Sequence, residues 1–231
     1  MKIALCFSGQ PRYLKEGYPQ IYKNLLEKYS PDVFVHTWWN DSMIGKKMDL
    51  PHALSYNRTY YWKEDTIDII KEFYSPKVLL PEKQIEFNTY TNVDYQLSRP
   101  SHVHSMFYSL EESNKLKIEY EKENNFIYDA VIRCRFDTIF PTFDIDFYNI
   151  NLEYINCFVI DGRAPNDQFA ISTSENMNKY STVYSSLYEY QISGFTNFIG
   201  EELLKHHLNF NNLNWNNPKL IGKLNVNILK T

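Results

Sequence analysis

Arg133, Arg135 and Asp137 stand at alternate positions at the end of an apolar run, Ala130-Val131-Ile132. In an extended strand alternate side chains share a face, so all three point one way while Cys134 and Phe136 point the other. A carboxylate flanked by arginines stays ionised, because nearby cations favour its charged form. Such a carboxylate offers hard oxygen to Mg2+ or Mn2+, and guanidinium forks take phosphate oxygens in pairs. The chemistry expected of the trio is the grip of a diphosphate and its metal ion, with Asp137 on the metal and Arg133 and Arg135 on the phosphates. The competing reading is a structural Arg–Asp network at a strand end.

Other candidates lie where strands end. Ser8-Gly9-Gln10-Pro11-Arg12 breaks the first apolar run with turn chemistry. Gly9 lets backbone approach a base or ribose, and Arg12 has the reach for phosphate. The segment carries neither the P-loop pattern nor Gly-x-Gly-x-x-Gly. His36-Thr37-Trp38-Trp39 closes a second run. There His36 and Trp38 suit stacking on a base or sugar, or else a core tryptophan beside a satisfied histidine. Asn166-Asp167-Gln168 follows a turn-rich stretch. Asp167 is a candidate general base for an acceptor hydroxyl, or an Asx-turn residue. Glu201-Glu202 reads as the acidic first turn of a helix. The pairs His102/His104 and His206/His207 lack a set of partner ligands and read as surface or packing residues.

The elements that must carry these residues follow from apolar spacing. Residues 2–7 predict a buried strand, 14–29 a helix ended by Ser30-Pro31, and 32–38 a second strand. A helix from Asp65 to Tyr74, a strand from Pro76 to Leu80 and a long helix from Ser101 to Asn124 come next, followed by the strand from Tyr128 to Arg135. Residues 40–63 and 83–100 read as irregular. The second half predicts a strand over Cys157–Ile160, a loop over 161–167, a short strand over 168–171, helices over 174–190 and 200–208, and a closing strand over 220–229. Strand, helix and strand in alternation predict an α/β fold with a mostly parallel sheet. In such sheets ligands bind beyond the carboxyl ends of the strands, where the charged residues are expected to cluster.

Composition narrows the classes. The 231 residues suit one domain with a sizeable core. A formal net charge of -4 gives no basic footprint for nucleic acid. No apolar window approaches the ~20 residues of a membrane span, and the start of the chain does not read as a signal peptide. The 3 cysteines, Cys6, Cys134 and Cys157, have no zinc spacing and read as buried reduced thiols of a cytoplasmic protein.

The strand running into Ser-Gly-Gln-Pro-Arg12, Asp32-Val-Phe-Val-His-Thr-Trp38, the Ser105-Met-Phe-Tyr-Ser helix, Tyr128 to Asp137 and Asn166-Asp-Gln-Phe-Ala170 form an ordered set. Together they resemble bacterial and large-DNA-virus proteins regarded as GT-A-type glycosyltransferases. The resemblance covers most of residues 1–190. It implies a single domain of Rossmann-like fold, with a nucleotide-binding half over 1–140 and an acceptor-side half over 141–231, and a nucleotide-diphosphate-sugar donor. It also implies Mn2+ or Mg2+, and a glycan or other hydroxyl acceptor, as in glycan biosynthesis. By the same resemblance Ser8, Gly9, Gln10 and Arg12 hold the nucleotide and Asp167 lies near the acceptor. Where that family places Asp-x-Asp, this chain has Arg135-Phe136-Asp137, so only the last carboxylate is present and arginine is expected to share the metal's task. Two rival readings keep the fold: a sugar-1-phosphate nucleotidyltransferase, and a non-catalytic module binding a glycan or a partner.

Overall fold

The computed structural model describes residues 1–48, 61–87, 100–138, 145–160 and 164–216. The expected closing strand over 220–229 and parts of both irregular stretches lie outside them. Among the described residues seven strands form one mixed sheet: β1 (Ile3–Gly9), β2 (Asp32–Trp38), β3 (Val78–Glu82), β4 (Ala130–Cys134), β5 (Ile155–Ile160), β6 (Ala164–Ser172) and β7 (Trp215–Asn216). Their order is β3-β2-β1-β4-β6-β5-β7. β3, β2, β1 and β4 are mutually parallel, whereas β6 runs antiparallel to β4 and β5. This is the mixed, helix-flanked α/β architecture that the alternation of apolar runs predicted.

The helices are α1 (Leu14–Ile21), α2 (Glu27–Tyr29), α3 (Thr66–Tyr74), α4 (Pro100–Asn124), α5 (Ser174–Tyr180), α6 (Val183–Ile192) and α7 (Gly200–Phe210). A π-helical turn, Tyr22–Leu26, joins α1 to α2, so residues 14–29 stay helical throughout, as expected. The parallel strands are apolar on both faces because both are covered. Ala4, Cys6, Phe34 and Val131 face Phe107, Leu110, Met177, Tyr180 and Leu204. Leu5, Phe7, Val35, Ile132 and Cys134 face Leu14, Ile21, Leu25 and Ile70. The three thiols are buried and unpaired. Among the described residues no helix is long and apolar enough to cross a membrane.

Three expectations change. Residues 164–167, read as loop, are the start of β6. The helix read over 174–190 is two helices, broken at Ser181-Thr182. There Ser181 Oγ donates to the Met177 carbonyl at 2.8 Å and Thr182 Oγ1 to the Lys179 carbonyl at 2.8 Å. Such back-bonding competes with the helical ladder. β3 begins at Val78 and extends to Glu82, two residues past the expected end.

Candidate functional site: an arginine fork at the carboxyl edge of the sheet

Because β1, β2 and β4 are parallel, Gly9, Trp38 and Cys134 end on one edge. β6 runs the opposite way and pairs Phe169 with Cys134, so its opening residues reach that same edge. Topology alone therefore gathers residues 8–12, 133–137 and 166–168.

Gly9 has φ +102°, a conformation that costs other residues strain. Its N–H donates to Ser109 Oγ at 2.7 Å, and its carbonyl accepts from Thr37 Oγ1 at 2.9 Å. Ser109 in turn lies 2.7 Å from His36 Nδ1, and His36 Nε2 lies 2.9 Å from Glu82. Burial pushes the His36 imidazole down, against the pull of Glu82, toward its neutral form. The bond to Glu82 assigns the proton to Nε2, leaving Nδ1 to accept from Ser109. A chain from Glu82 through His36 and Ser109 thus braces the Gly9 turn. Trp38, 1% exposed, stacks on Tyr108 at 5.4 Å. The side chains of His36 and Trp38, expected on a ligand, are spent here on packing and on the brace. Gln10, by contrast, contributes its backbone: its carbonyl accepts from Arg12 N–H at 2.8 Å and turns the chain toward the edge.

Arg135 and Asp137 meet as a fork. Arg135 Nε donates to Asp137 Oδ1 at 2.8 Å and Nη2 to Oδ2 at 2.6 Å. Arg12 Nη2 approaches the same Oδ2 at 3.2 Å. Phe136, on the other face, stacks on Phe7 with ring centroids 4.8 Å apart, which fixes the turn between the two charged residues. Burial alone raises the Asp137 carboxyl, but Arg135 and Arg12 outweigh it and hold it below the usual carboxylate range. The sequence expectation of an ionised Asp137 is met.

The donor set for a metal is another matter. Both Asp137 oxygens are engaged by guanidinium, and among the described residues no three His, Cys, Asp or Glu side chains are grouped to hold an ion. As arranged, these residues do not fit a divalent cation, and Asp137 orients two arginines instead.

Arg133 lies deeper. Its side chain is 1% exposed, and Nε and Nη1 have no partner among the described residues. Tyr180 and Asp167 are its main electrostatic neighbours after the cost of burial, with Arg135 next.

Asp167 is re-aimed by a bulge. The β5–β6 register slips between Cys157 and Val159, which pair with Ala170 and Pro165. Strict alternation with Phe169 and Ile171 would put Asp167 on the α1–α3 side. Instead, a Cβ built on Gly200 would lie 2.9 Å from Asp167 Oδ2, so the carboxylate rests against the start of α7, where the helix dipole favours negative charge. Bulges recur where a side chain must be turned toward a site. Asn166 Oδ1 accepts from Gln168 N–H at 2.6 Å, the Asx turn anticipated for this segment.

One residue joins this group that sequence reasoning assigned to helix capping. Glu201 lies near Asp167 and Arg135, and burial, then the charge of Asp167, pushes its carboxyl up. Its position in the first turn of α7 had an ordinary explanation, so spacing carried no signal for it.

No family model matches the chain, and no curated protein matches it. Among solved structures, the apo form of the glycosyltransferase GlyE from Streptococcus pneumoniae TIGR4 overlaps it with a TM-score of 0.45 at 12% identity, covering 94% of this chain. This chain spans 45% of that one, under half its length.

Proposed function

We propose that this chain transfers a sugar from a nucleotide-diphosphate-sugar to a hydroxyl acceptor. The observation that carries the reading is the meeting of Arg12 and Arg135 at the carboxyl edge of the sheet, both held in one orientation by Asp137. In glycosyl transfer the bond from the anomeric carbon to the diphosphate breaks as positive charge grows on the sugar. Charge then accumulates on the departing diphosphate. Arg12 and Arg135, already fixed by Asp137, meet that charge without reorganising. Preorganised donors of this kind are typically the largest catalytic contribution.

Asp167 and Glu201 supply the acceptor side. A carboxylate with a raised pKa is a better base than an ordinary one, and Glu201 has that environment beside Asp167. We assign one of the pair to the acceptor proton and the other to orienting the hydroxyl. The braced Gly9 turn carries the nucleotide end. A divalent ion at Asp137, as the family resemblance implies, would have to displace Arg135 or Arg12.

The test is a thermal-shift screen of nucleoside diphosphates with and without Mn2+, followed by product analysis with the matching sugar donor. A ligand that binds the folded state raises the midpoint by mass action. The expected result is a shift by at least one nucleoside diphosphate, present without Mn2+ and abolished in Arg135→Ala. Turnover in that variant should fall about 100–1000-fold. Binding that appears only with Mn2+ would return Asp137 to the metal. No binding by any nucleoside diphosphate would sink the assignment.

A further inference from the structure

Arg133 is among the largest fully buried side chains in the molecule, and it carries a charge. Buried cations are ordinarily paired, because an isolated one is costly. Arg12 and Arg135 obey the rule through Asp137. Arg133 has the Asp167 carboxylate among its electrostatic neighbours but forms no ion pair with it, and Nε and Nη1 have no hydrogen-bond partner among the described residues. The Tyr180 hydroxyl, fully buried and one of its main electrostatic neighbours, also has none.

Ser8 Oγ repeats the pattern, being buried and without a partner among the described residues. Phe7 pairs with Cys134 and Cys6 with Arg133, so Ser8 stands beside the start of Arg135, one step nearer the edge. By alternation Ser8 shares the face of Cys6 and Arg133. Three side chains from β1, β4 and α5 thus offer hydrogen-bond donors that nothing among the described residues accepts. Hydroxyls and guanidinium N–H groups in that number call for an acceptor with several lone pairs and a negative charge.

We propose that Arg133, Tyr180 and Ser8 form a seat for a second anionic group of the substrate, distinct from the diphosphate grip at Arg12 and Arg135. That group is a carboxylate or phosphate borne by the transferred sugar, so the donor is an acidic sugar. The assignment of the group to a sugar rests on the glycosyl-transfer reading. The seat itself does not. Depth separates the two sites: Arg133 lies within β4 and Arg135 two residues on, just past its end, roughly 6–7 Å away at strand rise. Arg133 is 1% exposed, whereas the Arg135 side chain is 17% exposed.

Binding calorimetry on the full chain tests this with pyrophosphate and three probes that differ at one carbon: glucose 1-phosphate, glucuronic acid 1-phosphate and glucose 1,6-bisphosphate. One acidic probe should bind at least about tenfold tighter than the neutral one, the yield of a charge-assisted bond. Which of the two wins names the group. The advantage should vanish in Arg133→Met and shrink in Tyr180→Phe, while pyrophosphate affinity stays within about twofold of wild type in both. Equal binding of all three probes would overturn the proposal. So would an Arg133→Met variant that loses pyrophosphate as Arg135→Ala does, because Arg133 would then belong to the diphosphate grip. Failure of pyrophosphate to bind wild type counts against glycosyl transfer, while the acidic preference still decides the seat.

Unliganded stability gives an independent reading. Methionine in place of a buried cation whose N–H groups lack acceptors should raise Tm by a few degrees, about 2–4 °C per kcal/mol at this chain length. A fall in Tm would mean that Arg133 is already satisfied within the fold, or by internal water, and would refute the seat. Tyr180→Phe repeats the comparison if Arg133→Met does not fold.

Discussion

At the scale of single residues, the decisive observation is what Asp137 does with its oxygens. Its identity and spacing suggested a metal ligand, but three guanidinium N–H contacts occupy it. Asp137→Ala should therefore damage more than chemistry. It leaves Arg12 and Arg135 facing each other with little solvent, and breaking a buried ion pair costs about 3–5 kcal/mol. Urea unfolding should show a loss of that order, and a loss near zero would mean that the arginines find other partners. Arg135→Lys separates charge from geometry. Lysine keeps the charge but not the fork, so nucleoside diphosphate binding should weaken while remaining measurable.

At the scale of elements, the site depends on contacts remote from it. Gly17 in α1 packs against the Phe136 carbonyl so closely that a Cβ there would overlap it. In an exposed helix Gly→Ala stabilises by up to ~1 kcal/mol. Here overpacking, at about 1–3 kcal/mol, reverses the sign. Gly17→Ala should lower Tm and also weaken nucleoside diphosphate binding, because the turn it displaces carries Asp137. On the opposite face, Lys117 is wholly buried and donates to Glu121 at 2.9 Å, Ser174 at 2.6 Å and Asn178 at 2.7 Å. Glu121 also accepts the Tyr128 N–H at 2.9 Å. This network pins α4 to α5 and to the approach of β4. Lys117→Met strands a buried carboxylate, and chemical denaturation should register about 3–5 kcal/mol.

At the scale of the whole molecule, buried histidines set the response to acid. His207 lies 2.6 Å from the Tyr190 hydroxyl through Nδ1 and donates from Nε2 to the Lys179 carbonyl at 2.8 Å, tying α5, α6 and α7. Burial pushes it down to about 4. Below the ordinary histidine value near 6.5, the unfolded chain takes up a proton that folded His207 refuses, so stability falls between about pH 6.5 and about pH 4. The loss is on the order of 3 kcal/mol for this group, and His36 acts in the same direction. Asp137 follows at lower pH: its folded-state value is depressed, so its contribution is present above about pH 4 and disappears as pH drops through the folded value. Stability measured against pH should decline from near neutrality, and His207→Gln should flatten the first part of the decline. An unchanged profile in that variant would contradict the assignment.

Local patterning determined much of this protein. Apolar runs buried on both faces specified β1, β2 and β4, and helical spacing specified α1 and α4, because each signal is set by neighbours a few residues apart. The alternation of Arg133, Arg135 and Asp137, and the turn after β1, were legible for the same reason. What spacing does not contain is who meets whom. The antiparallel return of β6, the bulge that turns Asp167 to Gly200, and the approach of Glu201 from α7 are long-range pairings. So is the choice of Asp137's partner: a carboxylate binds a metal or a guanidinium according to which arrives, and Arg12 arrives only because β1 and β4 lie side by side. His36 and Trp38 show the converse. Their residue types suit a ligand, but α4 lies across them, and burial assigned the hydrogen bonds of His36 and the ring face of Trp38 to the protein itself.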